Sequence, residues 1–166
     1  MKDVDLAYYA GLVDGEGSIV IYLHNKTKNV RGYRYILHMA ISNNDREIFE
    51  PLKAEFGGCI SKWPCPPELL GKRLDHWRFG ISQRKCASFL EQLAPYLRIK
   101  RKQAELALEF QRHMQPNATH AKILTDEEHR IRESFSERMR ALNGQHSRRG
   151  ETNRRKLDSQ TSTKSS

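Results

Sequence analysis

The most constraining stretch of the chain is Leu6-Ala7-Tyr8-Tyr9-Ala10-Gly11-Leu12-Val13-Asp14-Gly15-Glu16-Gly17-Ser18. Its first nine residues predict a short helix, and Gly17 is suited to end it, because a residue without a Cβ can turn left-handed past a helix C-terminus. Ala7, Gly11 and Gly15 recur at i, i+4 and i+8, leaving one bare stripe where another backbone can approach closely. Asp14 and Glu16 fall at the helix end, where the negative pole of the macrodipole disfavours each anion by about 0.3–1 kcal/mol. A compensating cation is therefore expected there. An isolated pair of acids reads as a solvated helix end. With the stripe before it and the β-like run Ser18-Ile19-Val20-Ile21-Tyr22 after it, the pair reads as part of a site.

Tyr9-Ala10-Gly11-Leu12-Val13-Asp14-Gly15-Glu16-Gly17 closely resembles the signature of the LAGLIDADG homing endonucleases, with Tyr9 in place of the first Leu and Glu16 in place of the second Asp. The resemblance implies two such helices packed side by side, with the last acid of each, here Glu16, binding the divalent metal ions that cut DNA. Mg²⁺ is the expected ion, and the Gly15 carbonyl, freed at the helix end, is a second oxygen donor of the kind such cations take. Ala7, Gly11, Asp14 and Gly15 are assigned to the dimer interface. Asp14 has a structural role, holding the partner helix or neighbouring backbone. Only one such motif is present and nothing in 83–166 repeats it, so the resemblance implies a homodimer acting on a long, roughly palindromic duplex.

A second segment, Pro95-Tyr96-Leu97-Arg98-Ile99-Lys100-Arg101-Lys102-Gln103-Ala104, resembles the one in which a lysine of single-motif members reaches the scissile phosphate; Lys100 takes that role by position. Asn43 and Arg46 match the polar and basic residues that complete the water network around the metals. The family more often has Gln at the first of these, and a turn or cap role for Asn43-Asn44 is the alternative reading. The likeness covers about residues 5 to 113 in element order.

Along the chain, Ile19, Ile21 and Leu23 alternate with Val20, Tyr22 and His24, the period of a half-buried strand, and a second strand runs from Tyr33 to about Ser42. Asn44-Asp45-Arg46-Glu47 has the form of a capping box and predicts a helix from Asp45 to Gly57-Gly58, with Pro51 deep enough to kink it. Strands follow at Cys59–Trp63 and His76–Ser82, separated by a proline-bearing loop to Arg73. Further helices carry Phe89, Leu90, Leu93 and Leu97, then residues 101–113, then the segment after the capping box Thr125-Asp126-Glu127-Glu128, with its narrow stripe Ile131, Phe135, Met139 and Leu142.

The expected fold is therefore α+β, of the αββαββα type, with a four-stranded antiparallel sheet, helices on one face and extra C-terminal helices. Residues 1–142 form one domain, with its C-terminal helix at about 125–142. Residues 143–166 hold six Lys or Arg against two acids and one large aliphatic residue, and are expected to be a basic tail, disordered until it meets a polyanion. The uncovered sheet face would carry Tyr22, His24, Arg34, His38, His76 and Arg78. These donors and aromatics suit the major groove of duplex DNA.

A formal charge of +9 and a pI near 9.6 favour a polyanionic partner. No apolar run approaches the roughly 20 residues of a membrane helix, the N-terminus lacks a signal peptide's apolar segment, and three cysteines without C-x-x-C spacing suit a reducing compartment; an intracellular protein is expected. The functional expectation is a site-specific homing endonuclease making metal-dependent double-strand breaks. The alternative is a DNA-binding regulator or intron-splicing maturase of the same fold that does not cut.

Overall fold

The computed structural model describes residues 1–24, 34–62, 76–114 and 125–161, with 145–161 as backbone only. The connection 25–33, the loop 63–75 and the segments 115–124 and 162–166 lie outside the described residues. The order is α1 (Asp3–Glu16), β1 (Gly17–His24), β2 (Arg34–Asn43), a 3-10 turn (Glu47–Phe49), α2 (Glu50–Phe56), β3 (Cys59–Lys62), β4 (Trp77–Ser82), α3 (Gln83–Leu93), α4 (Arg101–Met114) and α5 (Asp126–Thr161). Through α3 this is the αββαββα order expected. The strands form one antiparallel sheet in the order β1-β2-β4-β3.

Period-two patterning sets the faces. Ile19, Ile21, Tyr35, Leu37, Met39, Ile41, Phe79 and Ile81 are buried beneath the helices, with Phe49, Phe89 and Phe110 filling the layer between. The other face stays open: Ser18, Tyr22, Arg34 and Ser82 are exposed on it.

Helix α1 buries Leu6, Tyr9, Ala10 and Val13, an i, i+3, i+4, i+7 face, and the Tyr9 hydroxyl donates to the Ile48 carbonyl at 2.8 Å. Its opposite face is also small or apolar yet uncovered, with Val4 69% and Tyr8 56% exposed beside Ala7, Gly11 and Gly15. Gly17 departs from expectation. Its φ is −83° and its ψ 156°, extended rather than left-handed; a Cβ there would lie 2.6 Å from the Val13 carbonyl oxygen, so glycine is needed for close approach to the helix end.

The α2 region is also corrected. Asn43 Oδ1 accepts the Asp45 amide at 2.9 Å and Asp45 Oδ1 accepts the Glu47 amide at 2.8 Å, two local turns in place of the capping box. The 3-10 turn delays α2 to Glu50, which brings Pro51 into the first turn, where its missing N–H costs nothing. The turn Gly57-Gly58, with φ of +75° and +93°, ends the helix.

Helix α5 runs along the outer edge of β1. The Ser136 hydroxyl donates to the Ile21 carbonyl at 2.8 Å and the Asn143 amide to the Ile19 carbonyl at 3.0 Å, so an edge that would otherwise offer free acceptors is occupied. Phe135 and Met139 are buried as the stripe requires, and Thr125 Oγ1 caps the Glu128 amide. The helix continues to Thr161, past the boundary at residue 142 and through most of the segment expected to be disordered. No proline interrupts 143–161, its Arg, Lys, Gln and Glu are good helix formers, and the docked turns upstream remove the nucleation cost. No described helix is long and apolar enough to cross a membrane.

Candidate active site

At the end of α1 the two acids have different tasks. The Asp14 carboxylate turns into its own chain. Oδ2 accepts the amides of Arg98 at 2.8 Å and Ile99 at 3.1 Å, and Oδ1 accepts the Lys100 amide at 2.8 Å. These are backbone groups just ahead of α4, so one carboxylate at the C-terminus of α1 organises the segment leading into another helix. Of the two structural roles expected for Asp14, holding the partner helix or neighbouring backbone, its carboxylate takes the second within this chain. Burial, the largest single influence, would raise its pKa, but the three amide bonds and the Lys100 charge outweigh it and the carboxyl ends below its ordinary value.

Lys100 is fixed by this arrangement at both ends. Its amide is held by the Asp14 side chain and its ammonium donates to the Asp14 main-chain carbonyl. That carbonyl belongs to the last turn of α1, where a cation is favoured, so Lys100 is the compensating charge the two acids require. Its pKa is lowered, because desolvation outweighs the pull of Asp14 and Glu16 toward the charged form. The structure thus singles Lys100 out from Arg98 and Lys102: Arg98 is exposed and offers Asp14 only its amide, and Lys102 lies beyond the clamp, exposed in the first turn of α4.

Glu16 is the exposed acid, and among the described residues none forms a hydrogen bond or ion pair with its carboxylate. Beside it, Cβ atoms built at Gly11 and Gly15 would meet nothing within 4 Å, so the stripe is open space. Ile99, 54% exposed and joined to Asp14 through its amide, adds an exposed apolar residue to the segment held at the end of α1. No sequence signal could have found it there, because the bond links positions 85 residues apart.

Asn43 and Arg46 lie at the same end of the sheet, since Gly17 pairs with Ile41. Neither is joined to Glu16 or Lys100 by a hydrogen bond or ion pair. Asn43 has the helix-side parity of Ile41, with its carboxamide oxygen committed to the Asp45 turn. Arg46 pairs with Glu50 at 2.6 Å, and its guanidinium lies 5.5 Å from the centre of the Trp77 ring.

Of the open-face set, Tyr22, His24, Arg34, His38 and Arg78 share one face by register, His24 opposite Arg34 and Ser42 opposite Arg78. Tyr22 meets His24 and His38 edge-on, each at 6.5 Å. His76 precedes β4 and is tied to the turn after β2, its Nδ1 2.9 Å from Asn44 Oδ1.

Comparison with solved structures finds the same architecture in I-CvuI, a homing endonuclease in complex with its target in the presence of calcium, at a TM-score of 0.67 and 20% identity over 84% of this chain and 82% of that one. I-Vdi141I, an archaeal intron-encoded homing endonuclease complexed with DNA, matches at 0.64 and 18% identity, covering 86% of each chain. The fold is that of the LAGLIDADG homing endonucleases. I-SmaMI, a LAGLIDADG homing endonuclease bound to cleaved DNA, matches at 0.60 and 21% identity, with 79% of this chain on 42% of that one. No family sequence model matches the chain, and a search of curated proteins finds no relative.

In the LAGLIDADG fold of this chain the donors at the end of α1 are hard oxygens, the Glu16 carboxylate and the Gly15 carbonyl, which suit Mg²⁺ or Ca²⁺. Among the described residues no group of three His, Cys, Asp or Glu could hold a metal ion within one chain.

Proposed function

We propose that this chain is a metal-dependent, site-specific DNA endonuclease that works as a homodimer, with α1 of each protomer packed on its counterpart along Ala7, Gly11 and Gly15. The observation that carries the reading is the end of α1, where an exposed Glu16 stands beside an open glycine stripe and next to a lysine clamped by Asp14. The fold shared with DNA-bound homing endonucleases supports it. So does coverage: the chain spans most of I-CvuI and I-Vdi141I but 42% of I-SmaMI, as one half of a paired unit would.

In the dimer, Glu16 from each protomer and the Gly15 carbonyl would hold the divalent ion. A bound ion of this kind lowers the pKa of water and stabilises charge on phosphoryl oxygens. Hydrolysis forms a bond from water oxygen to phosphorus and breaks one phosphodiester P–O bond, the proton lost by water passing through solvent to the leaving oxygen. Lys100 directs a desolvated ammonium at the phosphate and opposes the charge that accumulates there. The open sheet face, with Tyr22, His24, Arg34, His38 and Arg78, supplies donors for base edges and phosphates, and symmetry presents it twice along the duplex. Asn43 and Arg46 would act at the water network only by leaving the turn and the Glu50 pair when DNA binds.

A regulator or maturase that does not cut would have no use for a clamped lysine beside an exposed acid. The two readings separate in one experiment: a plasmid library with a randomised insert is incubated with the protein and Mg²⁺, and linearised molecules are sequenced. Enrichment of one pseudo-palindromic site, abolished by EDTA, is expected. Specific binding of DNA with no nick in either strand would reject the nuclease reading.

A further inference from the structure

On the open sheet face one side chain has surroundings shaped to hold it. His38 sits on β2, and its Nδ1 lies 2.9 Å from the Oγ of Ser82, its register partner on β4. The Tyr22 ring stands edge-on to it at 6.5 Å, with 84° between the planes. Gly80 lies beneath: a Cβ built there would come 3.2 Å from His38 Cε1 and 3.8 Å from Nε2. The imidazole therefore leans across the backbone of β4, and only glycine at position 80 lets it do so without displacement. Burial lowers its pKa, the Arg78 charge adds to this and a hydrogen bond to the Ile81 backbone works against it, so the neutral form of the ring is favoured.

A neutral imidazole has one N–H and one lone pair, and its tautomer follows the partner at the nitrogen already engaged. A hydroxyl can donate or accept. With Ser82 donating, Nε2 presents an N–H; with Ser82 accepting, Nε2 presents a lone pair. Both states satisfy Nδ1. In the major groove the purines carry opposite groups at one place, the adenine amino and the guanine O6, and the pyrimidines do likewise with the cytosine amino and the thymine O4.

We infer that His38 is a specificity-determining residue of the DNA target, reading one base position in each half-site through Nε2, and that Ser82 makes this position tolerant of transitions but not of transversions. The inference rests on the DNA-binding reading above and adds to it which atom reads, what aims it and what kind of degeneracy results.

The test is selection of bound duplexes from a randomised library by the full-length protein, followed by sequencing, for the wild type, His38→Phe, Gly80→Ala and Ser82→Ala. The wild type should show one position per half-site where A and G, or C and T, are recovered comparably. His38→Phe keeps the ring and removes its nitrogens, Gly80→Ala displaces the ring, and Ser82→Ala frees it. Each should reduce discrimination against transversions at that same position by about 5- to 20-fold, the scale of one base contact. Preferences elsewhere should be retained, which a general loss of folding would not allow. Strict discrimination within the transition pair, or variants whose effects fall on different positions or spread evenly, would overturn the inference. Failure of the wild type to enrich any sequence would instead refute the DNA-binding reading beneath it.

Discussion

Replacing Asp14 with Asn tests how the candidate site is assembled. The carboxylate accepts three amides, from Arg98, Ile99 and Lys100, at 2.8, 3.1 and 2.8 Å. An asparagine keeps one acceptor oxygen and turns an amino group toward at least one N–H, so one to two of these bonds disappear. Hydrogen bonds to a charged acceptor contribute about 1.5–3 kcal/mol each, and some of that returns through water at this half-buried site, so the expected destabilisation is about 2–3 kcal/mol. For a chain of this length that lowers the melting temperature by about 5–10 °C. The same change releases the backbone that aims Lys100, so DNA cleavage should fall at least about 10-fold at temperatures where the variant is folded, with DNA affinity nearly retained. The pH dependence has a fixed sign. The folded-state pKa of Asp14 lies below its ordinary 3.8, so the stabilisation is fully present above that value and is lost as pH falls through the folded value. The stability gap between wild type and variant, followed by thermal melting, should be constant from about pH 6 to 8, well above the carboxylate range, and should close on acidification below it. An unchanged melting temperature with unchanged cleavage would refute the clamp.

Other perturbations probe the remaining parts. Gly11→Leu should leave the isolated protomer as stable or up to about 1 kcal/mol more stable, because glycine is a poor helix former and a Cβ at this exposed position meets nothing within 4 Å. Under the proposed dimer, the wild type should sediment at twice the mass of this variant, which should be a monomer. Ser136→Ala removes a buried donor from the Ile21 carbonyl and should cost about 1–3 kcal/mol in urea unfolding with an unchanged slope. Truncation after Gly144 spares the Asn143 bond to β1 and removes six basic residues; it should lower the slope of log affinity against log salt by about 0.9 for each phosphate that is no longer neutralised, without altering sequence preference.

The sequence was informative wherever a pattern was local. Strand alternation at Ile19 to His24 and at Phe79 and Ile81, the glycine pair ending α2 and the small-residue stripe of α1 are all present as expected, because each is set by neighbours within a few positions. The need for a cation at the end of α1 also followed from elementary electrostatics. Its source was legible only through the second resembling segment, since Asp14 and Lys100 are 86 positions apart. An acid at a helix end gives no sign of which backbone it will hold, so the sequence leaves Asp14 between the partner helix and neighbouring backbone. The start of α2 differs from expectation through a competition among Asn43, Asn44 and Asp45, all able to bond a nearby amide. The length of α5 is not legible because composition gauges what a segment can bury, whereas helix continuation from a docked turn needs no further burial.

Glu16 is where the proposed chemistry meets its most direct test. Glu16→Gln keeps the shape and removes the charge at an exposed position, so the protein should fold, dimerise and bind its target as the wild type does. Measured side by side, gel-shift affinity for the target and plasmid cleavage in Mg²⁺ should part company, with binding retained and strand breakage abolished. Cleavage by Glu16→Gln at the wild-type rate would contradict the central claim that this carboxylate holds the metal.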